Sequence, residues 1–242
     1  MPRNSSAFTR VELLALVAAL GLLALCTWPA LAGSRGDAQR ATCFNNLRQI
    51  AHGAQIWAGD HGDRIPWLTP IAEGGTFTNN LHASAAWFEL LTFSNELSSP
   101  RLLACPADEG VKVASAWLGG AGALTATGYR QNSLSYMLGL HADLKFPKSM
   151  LCADRNVRAS RILNCGITFV LGSASLDGLD QAMGWTNAVH GFSGHIVTVD
   201  GVVSYTGTAG LRQNIVDPAG GNSTDAGAIG GPAPKHHTLR DR

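Results

Sequence analysis

The stretch Ala7-Phe8-Thr9-Arg10-Val11-Glu12 is followed by twenty residues without a charge, residues 13–32. At about 1.5 Å per residue, a helix of that length spans the roughly 30 Å hydrocarbon core of a bilayer. Glu12 lies at the edge of the apolar run, where an acidic side chain costs free energy to bury and marks a function by default. Arg3 and Arg10 precede the run and favour a cytoplasmic amino terminus. The stretch therefore predicts a membrane helix with the rest of the chain outside the cytoplasm.

The beginning of this stretch resembles the leader of type IV prepilins. In that family a prepilin peptidase cuts before a Phe and methylates the new amine, and Glu is the fifth mature residue. The resemblance implies a leader over residues 1–7, with Ala7 before the cut, Phe8 as the first mature residue and Glu12 as the fifth. Ala7 replaces the usual Gly, and Arg10 stands where Leu is commoner. A transmembrane helix over residues 8–33 would remain after cleavage.

Glu12 has a physical use if such helices assemble side by side. A carboxylate buried among apolar helices is tolerated only when it is paired, and the Phe8 amine of a neighbouring subunit is the natural partner. A contact of this kind is head-to-tail and does not close, so it builds a helical filament. The leader therefore predicts Phe8 and Glu12 as assembly residues.

Residues 34–60 are predicted to continue the helix as an amphipathic segment. Their apolar side chains recur at spacings of three and four, which is typical of a helix with one buried face. These positions are Ala41, Phe44, Leu47, Ile50, Ala51, Ala54 and Trp57. Gly62 and Pro66 then predict the end of the helix near Asp60.

The remaining chain reads as a globular head over residues 61–205 and a flexible tail over residues 206–242. Short apolar runs between turn residues predict strands and one short helix in the head. The clearest is a hairpin, because Asp200-Gly201 lies between two β-branched runs. The tail is rich in Gly, Ala, Pro, Asn and Ser. The fold class is α+β, with a long N-terminal helix packed on a small antiparallel sheet, and the resemblance implies a pilin-like arrangement.

Further stretches resemble a large group of bacterial pilin-like proteins that combine a prepilin-type leader with an H-x9-DG signature. The signature is present as His190, nine residues, and then Asp200-Gly201. The other stretches are Cys43-Phe-Asn-Asn-Leu-Arg-Gln-Ile50, Leu103-Ala-Cys105-Pro106-Ala-Asp108, Ser135-Tyr-Met-Leu-Gly139, Ala153-Asp154-Arg155-Asn156 and Trp185-Thr-Asn-Ala-Val-His190-Gly191. The resemblance implies a structural pilin or type II secretion pseudopilin. Its partners would be the prepilin peptidase, other pilin-like subunits and the bacterial inner membrane, with the head in the periplasm or at the cell surface.

Four cysteines lie beyond the apolar run, and a head outside the cytoplasm can keep disulfides. Four cysteines allow three pairings. Cys152 and Cys165 flank a turn-rich stretch, so a hairpin staple between them is the first expectation. Cys43 with Cys105 would then tie the helix to the head. The alternative is four buried thiols.

Metal binding has only weak candidates in the sequence. His190 and Asp200 could meet across the base of the hairpin, as a hydrogen-bonded clasp or as two ligands, and His195 could add a third. The clasp is the preferred interpretation. Asp60 and Asp63 could offer oxygens to calcium, which pseudopilins often bind in a loop of the head. Helix termination is the simpler interpretation of these two residues.

Composition and motifs argue against two other classes of function. Eighteen Lys and Arg against seventeen Asp and Glu leave a net charge of +1, which gives no electrostatic footprint for nucleic acid. The sequence has no nucleophile elbow, P-loop or H-E-x-x-H, so we predict no catalytic residue and no enzyme. One alternative stays open. Ala30-Leu-Ala32 before Gly33 fits an ordinary signal cleavage site, which would give a membrane-anchored or secreted periplasmic binding protein that does not polymerise.

Overall fold

The computed structural model describes residues 9–77, 86–139, 142–158, 168–171, 184–211 and 236–239. Within these ranges the side chains of residues 24, 26–34, 158, 168–171 and 236–239 are not described. The chain divides into two compact units, Met1–Arg40 and Ala41–Arg242. The secondary structure is α+β, as the sequence predicts.

Helix α1 spans Arg10–Asp60 and begins with a reciprocal cap. The Glu12 carboxylate accepts hydrogen bonds from the backbone N–H and the hydroxyl of Thr9, both at 2.9 Å. The Glu12 backbone N–H in turn donates to the Thr9 hydroxyl at 3.3 Å. This is a capping box, in which two residues three apart satisfy backbone donors at the start of the helix.

The first unit consists of the N-terminal part of α1, and its described apolar side chains are exposed. Nine large apolar residues between positions 11 and 25 are each more than half exposed: Val11, Leu13, Leu14, Leu16, Val17, Leu20, Leu22, Leu23 and Leu25. Over the residues that the structure describes, no helix reaches the length and hydropathy needed to cross a membrane.

In the second unit, the C-terminal part of α1 forms one wall of the main core. The predicted apolar face is confirmed, since Cys43, Leu47, Ile50, Ala51, Ala54, Trp57 and Ala58 are buried. Ala41 is exposed and Phe44 is only partly buried. The helix ends where the sequence predicts. Gly62 and Asp63 adopt left-handed conformations, with φ of 66° and 57°, and the Asp63 N–H returns to the Ala58 carbonyl at 2.9 Å.

Over the residues that the structure describes, the head contains an antiparallel six-stranded sheet. Its strands are β1 (Tyr136–Gly139), β2 (Met150–Asp154), β4 (Thr168–Leu171), β6 (Ser193–Thr198), β7 (Val203–Gly207) and β8 (His236–Leu239). Their order in the sheet is β4-β8-β1-β2-β6-β7. A separate pair is formed by β3 (Val157–Arg158) and β5 (Gly184–Trp185). The short helix is α2 (Ala86–Thr92), and 3-10 turns cover Pro66–Leu68, Ile71–Glu73, Pro100–Leu103 and Arg130–Ser133.

Apolar side chains from this sheet enter two separate cores. The larger core joins α1 and α2 to residues such as Leu138, Leu151 and Val197. The smaller core contains Met137, Met150, Ala153, Val157, Trp185, Ile196 and Leu211. Adjacent strand residues such as Ile196 and Val197 enter different cores because successive side chains of a strand point to opposite faces. The sheet is therefore covered on both sides.

The predicted flexible tail over residues 206–242 is wrong at both of its ends. β7 continues to Gly207, and His236–Leu239 form β8, which pairs with β1 and β4. Strand pairing uses backbone N–H and C=O groups, which every residue but proline carries, so a polar sequence such as His236-His237-Thr238 can fill a place in a sheet.

Substitution of Leu47 tests whether α1 is the centre of the main core. Leu47 is fully buried, so Leu47→Ala should lower the free energy of unfolding by about 2–5 kcal/mol. Ile56 on the same helix is 46% exposed, and Ile56→Ala should cost less than about 1 kcal/mol. Denaturant unfolding of the two variants measures the difference, and equal losses would contradict this packing.

Candidate functional site

The consecutive residues Asp154, Arg155 and Asn156 begin at the last residue of β2 and connect three different parts of the head. Asp154 is fully buried and lies opposite His195 of β6, since Ala153 pairs with Ile196. Its Oδ2 accepts the backbone N–H of His195 at 2.7 Å and lies 3.0 Å from the Nδ1 of the same residue. The Nε2 of His190 lies 3.5 Å from the same oxygen. One carboxylate oxygen thus meets two buried imidazoles.

Arg155 forms the second connection, to the loop of the Cys-Pro motif. Its guanidinium contacts both oxygens of Asp108, with Nε–Oδ2 at 2.7 Å and Nη2–Oδ1 at 2.9 Å. Asp108 is buried and also accepts the Ser135 hydroxyl at 2.8 Å. The Ser135 oxygen in turn accepts the Cys105 N–H at 2.9 Å. This bidentate Arg–carboxylate contact and the hydrogen bonds of Ser135 together fix the geometry of the loop.

Asn156 forms the third connection, to the loop that carries His190. Its amide Nδ2 donates to the Thr186 carbonyl at 2.9 Å and to the Ser193 carbonyl at 3.1 Å. The Asn156 carbonyl accepts the N–H of Thr186 at 2.6 Å. Both ends of the loop are therefore held on one side chain. The loop contains left-handed Gly191 and Phe192, with φ of 62° and 58°.

A disulfide between Cys43 and Cys105 joins α1 to this cluster, as the second predicted pairing requires. The Cys105 sulfur lies 3.4 Å from His190 Nε2. Phe44, the next residue of α1, presents its ring edge to His195 with centroids 6.4 Å apart. The Tyr205 ring lies 4.9 Å from the His195 ring.

The predicted staple between Cys152 and Cys165 is wrong. Cys152 is a free, fully buried thiol between Leu138 of β1 and Val197 of β6. Cys165 lies outside the described residues.

His190 and Asp200 do not meet, so the predicted clasp across the hairpin is also wrong. They lie beyond opposite ends of β6, whose six residues span roughly 20 Å. Asp200 is exposed, and its carboxylate accepts the Val202 N–H at 3.2 Å and the Thr198 hydroxyl. The Asp-Gly pair acts as a turn, as its sequence indicates.

Glycine is favoured at position 201 because its φ of 82° is left-handed. An added Cβ would meet the Gln55 side-chain nitrogen at ordinary contact distance, 3.4 Å. Gln55 donates to the Val199 carbonyl at 2.7 Å, which ties α1 to the hairpin. The two ends of the H-x9-DG signature therefore have structural roles. His190 is buried, and Asp200-Gly201 forms a turn that lies against α1.

The calcium candidates Asp60 and Asp63 lie at the end of α1, away from the buried cluster. Among the described residues, the groupings of three or more side chains with metal-ligand spacing are Asp154 with His190 and His195, and Cys43 with Cys105 and His190. Neither grouping includes Asp60, Asp63 or Asp200. The geometry therefore favours helix termination as the role of Asp60 and Asp63.

Burial changes the ionisation of two groups beside the cluster. The pKa of the Cys152 thiol is raised because the thiolate would be fully desolvated. The pKa of the Tyr136 phenol is raised by burial first and then by the charge of Asp154, its cross-strand neighbour. Both side chains therefore stay protonated in the folded protein.

Sequence reasoning assigned no role to Asp154, Arg155 or Asp108, although each lies in a quoted motif. An Asp-Arg-Asn run at the end of an apolar strand is a signal, because three polar residues there must find partners or water. The sequence indicates His195 only as a third ligand beside His190 and Asp200. The structure places it in the cluster.

Comparison of the sequence with models of protein families and with curated proteins, and of the structure with solved structures, finds no match in any of the three. The likeness to pilin-like proteins therefore rests on the motifs of the sequence.

Removal of the disulfide should destabilise the head and abolish its sensitivity to reductant. Cys43→Ser with Cys105→Ser should cost about 2–5 kcal/mol of unfolding free energy, because the bridge closes a long loop. Thermal unfolding with and without a thiol reductant measures this. Wild type and Cys152→Ala should both lose stability on reduction, and the double variant should not respond. A response of the double variant would contradict the pairing.

The buried thiol predicts a loss of stability at alkaline pH. Unfolded Cys152 ionises above pH of roughly 8.5, whereas folded Cys152 keeps its proton because its pKa is raised. The unfolded state then binds fewer protons, so the thiol lowers unfolding free energy by about 1.4 kcal/mol per pH unit. Denaturant unfolding at pH 8, 9 and 10 should show a shallower decline in Cys152→Ala. Parallel declines in the two proteins would contradict this.

Proposed function

We propose that this chain is a structural pilin-like or pseudopilin subunit. It is cut by a prepilin peptidase before Phe8, held in the inner membrane through residues 8–33, and assembled into a filament of the type II secretion or type IV pilus kind. The head lies in the periplasm or at the cell surface. Its action is mechanical and needs no catalytic residue.

The proposal rests on the leader motif and on the long helix that follows it. Ala7 to Glu12 precede an uncharged run, residues 13–32, on a helix that continues to Asp60 and becomes the wall of a head core. The described apolar side chains from Val11 to Leu25 are exposed. An apolar surface of this extent needs lipid or other apolar helices as cover, and an assembling membrane subunit has both.

The capping box is compatible with a second role for Glu12. A carboxylate can accept about four hydrogen bonds, and Thr9 supplies two. Capacity remains for the Phe8 amine of a neighbouring subunit, which would set the register between subunits. The Cys43–Cys105 disulfide supports the same proposal, because it is suited to an oxidising compartment and joins the helix covalently to the head.

Mass spectrometry of the mature amino terminus, from membranes of a native host, tests the processing. We expect N-methylated Phe8. A terminus at Gly33 would instead show ordinary signal cleavage after Ala30-Leu-Ala32, and the protein would then be a secreted binding protein that does not polymerise. An intact Met1 would also contradict prepilin processing.

Two substitutions separate the capping and assembly roles of Glu12. Thr9→Ala removes the cap, at about 0.5–2 kcal/mol of helix stability, but keeps the carboxylate. Glu12→Ala removes both. With the assembly machinery present, we expect the sheared filament fraction to fall at least tenfold for Glu12→Ala and to stay near wild type for Thr9→Ala. Assembly of Glu12→Ala at the wild-type level, or equal losses in both variants, would contradict the proposed register contact.

A further inference from the structure

We infer that Asp154, His190 and His195 form a binding site for one divalent transition-metal ion, of which zinc is the representative. The ligand atoms are Asp154 Oδ2, His190 Nε2 and His195 Nδ1, and all lie within 4.8 Å of one another. The three side chains are each at least 97% buried. This site goes beyond the structural function proposed above and does not depend on it.

The spacing of the ligand atoms fits a metal ion. Two bonds of about 2.0–2.1 Å at a tetrahedral angle place their ligand atoms roughly 3.3 Å apart. Asp154 Oδ2 lies 3.0 Å from His195 Nδ1 and 3.5 Å from His190 Nε2. The second distance is longer than an ordinary N–H···O hydrogen bond, which spans about 2.7–3.2 Å. Both distances lie close to the ligand spacing of a metal site.

The partners of the Asp154 carboxylate give independent support. Its Oδ2 is approached by two ring nitrogens and one backbone N–H, whereas its Oδ1 is buried and accepts no hydrogen bond from any described residue. A buried carboxylate with one oxygen unpartnered costs free energy unless positive charge compensates it. A divalent ion would supply that charge while both imidazoles stay neutral, which is the form that binds metals.

The ligand types select the class of ion. Two imidazoles and one carboxylate suit zinc and neighbouring transition metals, whereas calcium prefers six to eight oxygens. The support around the ligands is already present, because the His195 N–H holds Asp154 and the Asn156 amide holds both ends of the His190 loop. Three protein ligands leave one coordination position for water.

Zinc titration of the full chain in detergent, after chelator treatment and dialysis, tests the site. The probe is zinc chloride alone, and the disulfide is kept oxidised. All proteins carry His236→Gln and His237→Gln, so that this histidine pair cannot bind the ion. We expect one equivalent of zinc per chain and a higher midpoint of thermal unfolding with zinc. Absence of stoichiometric zinc in this folded background would overturn the proposal.

Variants assign the ligands. Asp154→Asn and His195→Gln, which keep size and polarity, should each weaken zinc binding at least tenfold. The matched control is His52→Gln, an exposed histidine of α1, which should bind as the parent does. X-ray absorption should show nitrogen and oxygen ligands only. Unchanged affinity in either folded ligand variant, or sulfur in the ligand shell, would overturn this ligand set. If neither variant folds, the absorption spectrum of the parent decides.

Discussion

The apolar face of α1 between Cys43 and Ala58 is the surface on which the head depends. A sheet with apolar side chains on both faces must be covered on both faces. The apolar face of α1 covers the sheet face that forms the larger core. Three ties of different chemistry fix the helix along its length: the disulfide at Cys43, the Asn46 amide on the Ala104 carbonyl at 3.1 Å, and Gln55 on the Val199 carbonyl. Packing of the apolar side chains supplies most of the free energy of folding at this interface. The three ties fix the register of the helix against the sheet.

The scattered motifs of the sequence have a common explanation in the Asp154-Arg155-Asn156 run. These residues reach β6, the Cys-Pro loop and the His190 loop respectively. Each partner belongs to another motif, so segments far apart in the chain meet at one buried cluster. Members of such a buried polar network depend on one another for their hydrogen bonds, which makes each of them sensitive to change in the others. The cluster links the loops of the head to the disulfide, and through it to α1.

Much of the fold could be predicted because it follows local rules. The buried stripe of α1, its end at Asp60 and the Asp200-Gly201 turn depend on periodicity or on turn chemistry. The errors concern contacts distant in sequence. The sequence predicts partners nearby along the chain for Cys152 and His190, whereas the sheet order brings Val197 to Cys152 and Asp154 to His190. β8 could not be predicted because backbone pairing gave a polar segment its place. The leader and the membrane segment stay predictions from the sequence.

The disulfide has a mechanical consequence for a chain under tension. Cys43 and Cys105 are 62 residues apart, so the covalent ring between them cannot lengthen when the two ends of the chain are pulled. At about 3.4 Å per extended residue, the ring withholds roughly 200 Å of contour length. The buried stripe of α1 and all of α2 lie inside this ring. A load that extended the strands beyond Cys105 would therefore leave the segment between the two cysteines closed as a ring.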